Sequence, residues 1–151
     1  MDRKRLKDLI ERYETVQMMG SMKVVALIKE QIGEDVTSDQ HLTLRYIKKY
    51  GPCTSTELAD VFFVNKSAIT AIITRLVEKG YVQRTRDDAD RRIVHLSLTE
   101  EGECVFQEAE EKIHQVVEPY LAQLDVEELE AFIKTYEKLA NLFKGNPPQH
   151  R

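Results

Sequence analysis

VEKGYVQRTRDDADRRIVHLSLTEEG, residues 77–102, changes its hydrophobic period at Gly80. Residues 66–79 place apolar side chains at helical intervals, whereas residues 81–85 and 93–98 alternate, with Val94, Leu96 and Leu98 on one face. That alternation is the mark of a strand covered on one side by a core. Six of the seven residues between the strands, 86–92, are charged. The stretch therefore reads as a helix, a closing glycine and a β-hairpin whose charged tip projects into water.

Upstream, Asn65 is a good N-cap for the helix over 66–79, which Gly80 closes. Thr54-Ser55-Thr56-Glu57 has the spacing of a capping box and opens a helix of barely three turns with Leu58, Ala59, Val61 and Phe62 as its apolar residues. Two short helices joined by a three- or four-residue turn form a helix-turn-helix, whose second helix enters a DNA major groove. The second helix carries Ile69, Ile72, Ile73, Leu76 and Val77 on one side. Its other side carries Ser67, Thr70, Ala71 and Thr74, edged by Lys66 and Arg75, with Glu78 as the only acidic residue. A groove about 12 Å wide favours such small polar residues with cations at the margin. Ser67, Thr70 and Thr74 can hydrogen-bond bases or phosphates, Ala71 can meet a thymine methyl, and Lys66 and Arg75 suit phosphate.

A hairpin directly after a recognition helix makes the unit a winged helix. The narrow minor groove concentrates negative potential and attracts an inserted arginine, which loses side-chain entropy on entering. Asp90 is placed to brace Arg92 beforehand, so Arg92 is the leading candidate for insertion, with Arg91 or Arg86 on phosphate.

The rest of the 151-residue chain is helical in pattern. Leu6, Leu9, Ile10, Tyr13, Val16, Val24, Leu27, Ile28 and Ile32 describe a long amphipathic helix, interrupted in pattern at Gly20-Ser21 and ended by Gly33. Thr37 to Gln40 has capping-box spacing and opens a shorter helix through Leu42, Leu44, Tyr46 and Ile47, stopped by Gly51-Pro52. After Thr99 one apolar stripe runs from Val105 and Phe106 to Tyr120 and Leu121, with Pro119 expected to bend or divide it. A second runs through Leu129, Phe132, Ile133, Tyr136, Leu139, Leu142 and Phe143. The stripes are wider than a small winged helix can cover, which points to a partner surface, with packing inside the chain as the alternative.

Charge supports the same division of labour. The net charge is −4, yet residues 64–98 carry seven Lys/Arg against four Asp/Glu, and residues 99–151 carry five against twelve. With a Debye length of about 8–10 Å at cellular salt, the local excess governs contact with phosphate. No apolar run approaches the roughly 20 residues needed to cross a bilayer, and the N-terminal stretch lacks a secretory h-region, so the expected location is the cytoplasm with no membrane partner. Cys53 and Cys104 have neither disulfide-framework nor zinc spacing. No Gly-rich phosphate loop, nucleophile elbow or acid/base pair is visible, so no enzyme and no cofactor are expected; His95 lies on an outward strand face with no nameable partner.

The order of elements and residues 54–102 closely resemble the multiple antibiotic resistance regulator (MarR) family. Gly80, Val82, Arg84, Asp90, Arg92, Leu98, Thr99 and Gly102 meet its pattern of helix-closing glycine, wing strand, Asp-x-Arg tip and Leu-Thr-x-x-Gly. The resemblance implies a mainly α fold with a small β-wing. A winged helix-turn-helix over 36–102 would be flanked by dimerisation helices over 1–35 and 103–145, with a flexible tail over 146–151. It implies a homodimeric regulator, in the expected sense a repressor, on a pseudo-palindromic double-stranded DNA operator, its recognition helices about 34 Å apart. It also implies a small aromatic effector; Met18, Met19, Met22, Tyr46 and Phe106 suit such a pocket by type alone, and core packing is the stronger reading for each. The alternatives are a winged helix that binds protein, a redox sensor through Cys53 or Cys104, and a metal sensor through His41, Glu110 and His114. For the last two the family's first-helix cysteine and one aligned histidine are missing.

Overall fold

The computed structural model describes residues 1–33, 35–62 and 64–145. The element order is α1 (Arg3–Ile32), α2 (Ser38–Tyr50), α3 (Ser55–Phe62), α4 (Lys66–Glu78), β1 (Val82–Arg86), β2 (Val94–Leu98), α5 (Glu100–Leu121) and α6 (Val126–Lys144). The chain is thus mainly helical with one two-stranded antiparallel sheet, in which Val82 faces Leu98, Arg84 faces Leu96 and Arg86 faces Val94. Its backbone divides into two units, Met1–His114 and Gln115–Arg151. The tail expected over 146–151 lies outside the described residues.

Local chemistry sets each boundary in the first unit. The Thr37 hydroxyl accepts from the Gln40 backbone N–H while the Gln40 side chain accepts from Thr37 N, so both halves of the capping box form. The box opening α3 forms likewise between Thr54 and Glu57. Asn65 Oδ1 accepts from Ala68 N at 2.8 Å and starts α4. Gly80, at φ 81°, reverses the chain into the wing in a conformation costly for any residue with a Cβ.

Leu44 and Ile47 of α2, Leu58 of α3, Ile69, Ile73 and Leu76 of α4, Val82 of β1 and Leu96 of β2 are buried together. Burying one such side chain removes it from water with a gain of about 1.5–3 kcal/mol, so this cluster is what holds the hairpin against the helices. The hairpin gains a third backbone partner that sequence pattern did not suggest. Cys53 exchanges both backbone bonds with Leu96, at 3.2 and 2.7 Å, and so extends the sheet by one bridge. Phe106, Ala109 and Ile113 bring the start of α5 into the core.

The single long first helix is met, and the division expected at Pro119 is corrected. α1 runs unbroken through Gly20 and Ser21, because the Ser21 hydroxyl turns back onto the carbonyls of Gln17 and Met18 instead of competing with the helix. Pro119 does not divide α5; the helix ends two residues later, so the hydrogen bond that proline forfeits falls in its final turn. In the second unit α6 has no buried residue, and Phe132 and Tyr136 stack one turn apart on it with centroids 5.7 Å apart. Among the described residues no helix is long and apolar enough to cross a membrane.

Candidate nucleic-acid interface

The outer face of α4 is held open by its own packing. With Ile69, Ile73 and Leu76 buried, helical geometry turns Lys66, Ser67, Thr70, Ala71 and Arg75 outward, all exposed, with Thr74 half-buried at the edge. The Thr70 hydroxyl donates to the Lys66 carbonyl at 2.8 Å, which spends its proton and leaves its oxygen as an outward acceptor. At the edge nearest the wing, Arg84 Nη2 donates to Thr74 Oγ1 at 3.4 Å and links β1 to α4. Arg84 was legible as a wing-strand arginine, but not as a neighbour of the helix face, because that proximity depends on the angle between two elements.

The wing tip is an ordered turn. Asp87 Oδ1 accepts from the backbone N–H groups of Ala89 and Asp90, each at 2.9 Å, and Ile93 N donates to Asp90 O at 3.0 Å. Arg86 Nη1 donates to the Arg91 carbonyl at 2.8 Å and clasps the tip from the opposite strand. Arg91 projects outward, exposed. Asp90 takes Arg92 in a fork, Nε on Oδ1 and Nη2 on Oδ2 at 3.0 Å each, and also accepts from Arg92 N at 3.1 Å. The fork holds the Asp90 carboxyl below its ordinary range and pushes the Arg92 guanidinium further up. Arg92 nevertheless keeps 91% of its side chain exposed against 35% for Asp90. A guanidinium so fixed has already lost much of its rotamer freedom while its remaining N–H groups face solvent.

His95 keeps the β2 face opposite buried Leu96 and gains a partner that the sequence did not name. The residue is half-buried, and its Nε2 lies 3.0 Å from Asp87 Oδ2. Sequence reasoning also missed Asp87, which carries the tip turn; its position one residue past Arg86 could have flagged it, since aspartate that begins a turn commonly accepts from the backbone two residues on.

The residues considered for sensing are distributed unevenly. His41 Nε2 sits 2.8 Å from Glu110 Oε1, Arg45 donates to the same oxygen, and His114 Nε2 lies 3.5 Å from Glu110 Oε2. Arginine thus occupies one side of the carboxylate, and among the described residues no group of three or more His, Cys, Asp or Glu is arranged to hold a metal ion. Phe106 is buried and stacks on His41 at 5.2 Å, Tyr46 packs beside Tyr50 and Phe62, and Met18, Met19 and Met22 lie exposed on α1. None of these five lines the cavity of about 280 Å³ bounded by Leu42, Thr43, Phe62, Val64, Ile69 and Ile72.

Comparison with known proteins agrees with this architecture. The model of the MarR family matches residues 36–94. The chain is 37% identical over 105 residues to the uncharacterized HTH-type transcriptional regulator YpoP of Bacillus subtilis, covering 64% of this chain and 74% of that one. It is 32% identical over 117 residues to the HTH-type transcriptional repressor MdtR of the same organism, covering 78% and 76%. The solved structure of apo MarR from Escherichia coli superimposes with a TM-score of 0.70 at 25% identity, over 83% of this chain and 95% of that one. Fold, wing and relatives agree: the chain belongs to the MarR family and is a transcriptional regulator, not an enzyme, with a DNA-binding winged-helix fold.

Proposed function

We propose that the protein binds a pseudo-palindromic operator as a homodimer, acts as a repressor, and is released by a small aromatic effector. Ser67, Thr70, Ala71 and Thr74 face the base edges of the major groove, Lys66 and Arg75 its phosphates. Arg92, braced by Asp90, enters the minor groove beside it, with Arg91 and Arg86 at the backbone. The observation that carries this reading is the forked Asp90–Arg92 pair, which presents an exposed, pre-oriented guanidinium beyond a helix face of small hydroxyl residues. The dimer is supported by the apolar side chains left uncovered on α1 and α6, Leu9, Ile10, Phe132 and Leu142 among them. The repressor sense is supported by the relative named a repressor, and the effector by the family alone.

Fluorescence anisotropy with a labelled duplex from upstream of the protein's own gene tests the reading. Affinity should fall by 10³-fold or more between about 50 and 200 mM salt if six or more phosphates are neutralised across the dimer. Arg92→Ala should weaken binding by about tenfold, and a phenolic acid such as salicylate should release the duplex. Salt-insensitive binding, or Arg92→Ala and Thr70→Ala proteins that bind as the parent does, would overturn the assignment in favour of a winged helix that binds protein.

A further inference from the structure

We propose that His95 is a positioning residue for the wing: through Asp87 it fixes the turn from which Asp90 holds Arg92. The inference rests on the DNA-binding reading above and names a residue that reading leaves unused.

The contacts form one continuous path. His95 Nε2 meets Asp87 Oδ2 at 3.0 Å; Asp87 Oδ1 accepts from Ala89 N and Asp90 N at 2.9 Å each; Asp90 Oδ1 and Oδ2 hold the Arg92 guanidinium at 3.0 Å each. The ionised Asp87 carboxylate can only accept, so His95 donates from Nε2. Hydrogen bonds from His95 first, then from the Asp90 and Ala89 backbones, hold the Asp87 carboxyl below its ordinary range, as an acceptor-only role requires. Among the described residues His95 Nδ1 is buried with no partner, so the ring is anchored through Nε2.

The two ends of the path differ in rigidity. Asp88, Ala89, Arg91 and Arg92 are exposed, and the turn they form has few backbone bonds of its own. His95 sits in β2, opposite Thr85 and next to Leu96, which is buried and bridged to Cys53. Without the imidazole, the Asp87 carboxylate is free to rotate about its last torsion, and its two backbone acceptances exchange with water. Asp90 then loses its fixed place, and Arg92 with it.

The test uses the full chain with the same upstream duplex and the variants His95→Leu, His95→Gln, Arg92→Ala and the double variant H95L/R92A. His95→Leu should weaken DNA binding roughly fivefold, less than the loss expected of Arg92→Ala, because a mobile Arg92 still reaches the groove at an entropic cost. His95→Gln, which restores an N–H donor, should recover most of the loss. In the Arg92→Ala background His95→Leu should add nothing, because its effect passes through Arg92. Unchanged affinity for His95→Leu, an equal loss in the Arg92→Ala background, or no recovery with glutamine overturns the proposal. Should leucine prevent folding, His95→Phe supplies a ring of similar size without a donor. Failure of the parent protein to bind any duplex strikes the DNA-binding reading instead. In that case hydrogen exchange at the Ala89 and Asp90 amides decides for His95: protection lost with leucine and kept with glutamine upholds its role, and unchanged protection rejects it.

Discussion

His41 Nε2 lies 2.8 Å from Glu110 Oε1, joining α2 to α5 through two side chains that are almost wholly buried. Arg45 balances the carboxylate from the solvent side, and the Phe106 ring covers the imidazole. Among the described residues His41 Nδ1 has no partner, so adding a proton there would bury an unsatisfied donor.

Stability should therefore fall in mild acid. Burial, the largest influence on His41, pulls its pKa below 6.5 and outweighs the opposing hydrogen bond and charge of Glu110. The unfolded chain takes a proton near pH 6.5 while the folded one does not, so this contribution is complete above about 6.5 and is lost as pH falls towards the folded pKa. The slope within that window is at most about 1.4 kcal/mol per pH unit for one proton. Urea titrations at pH 7.5 and 5.5 measure it, and His41→Gln, which keeps a donor to Glu110 but cannot titrate, should flatten the difference.

Gly102→Ala should be severely destabilising although the substitution is small. Thr99 caps α5 by accepting from Gly102 N while donating to Gly80 O, which draws the helix start onto the backbone of Tyr81. A Cβ at position 102 would fall on the Tyr81 carbonyl oxygen, and neither backbone can yield. The overpacking should cost about 3 kcal/mol, seen as a lower urea midpoint. A midpoint within error of the parent's would mean that α5 does not start against Tyr81.

The two thiols should differ sharply in reactivity. Cys53 is buried, its backbone is bridged to Leu96, and burial raises its thiol to about 11, whereas Cys104 is exposed on α5. At pH 8 a thiol of that pKa is about one part in a thousand thiolate, the form that reacts. Iodoacetamide should add one carbamidomethyl group to the native protein within minutes and two in urea, read by mass spectrometry. Rapid double labelling of the native chain would reopen a redox role for Cys53.

Much of this architecture is written in local pattern. The caps at Thr37, Thr54 and Asn65, the helical period of α4 and the alternation of β2 each act within a few residues, so the chain can be read one window at a time. The Asp90–Arg92 fork was legible for the same reason, since the partners stand two positions apart. What could not be read depends on distance in sequence. The bridge from Cys53 to Leu96 and the reach of Arg84 to Thr74 are set by how elements pack, and His41 was placed beside Glu110 only by the family resemblance. Asp87 and His95 fall between these cases, eight residues apart yet brought together only by the hairpin's register.

The last prediction concerns the faces left without cover. α6 buries none of its side chains, and Phe132 and Leu142, on its apolar stripe, are 59% and 65% exposed. A single-sided stripe of this length gains roughly 25 cal/mol for each Å² it removes from water, a return available here from a second copy of the chain. Replacing both residues, Phe132→Glu with Leu142→Glu, puts two carboxylates where an apolar face is required; charges there must either stay hydrated or be buried unpaired. Sedimentation equilibrium at micromolar concentration should show the parent protein as a dimer and the double variant as a monomer, with helical content unchanged by circular dichroism. Affinity for a two-half-site duplex should fall at least a hundredfold in the variant, because each half-site is then bound alone. A parent protein that sediments as a monomer, or a double variant that still dimerises, would place the interface elsewhere or remove it.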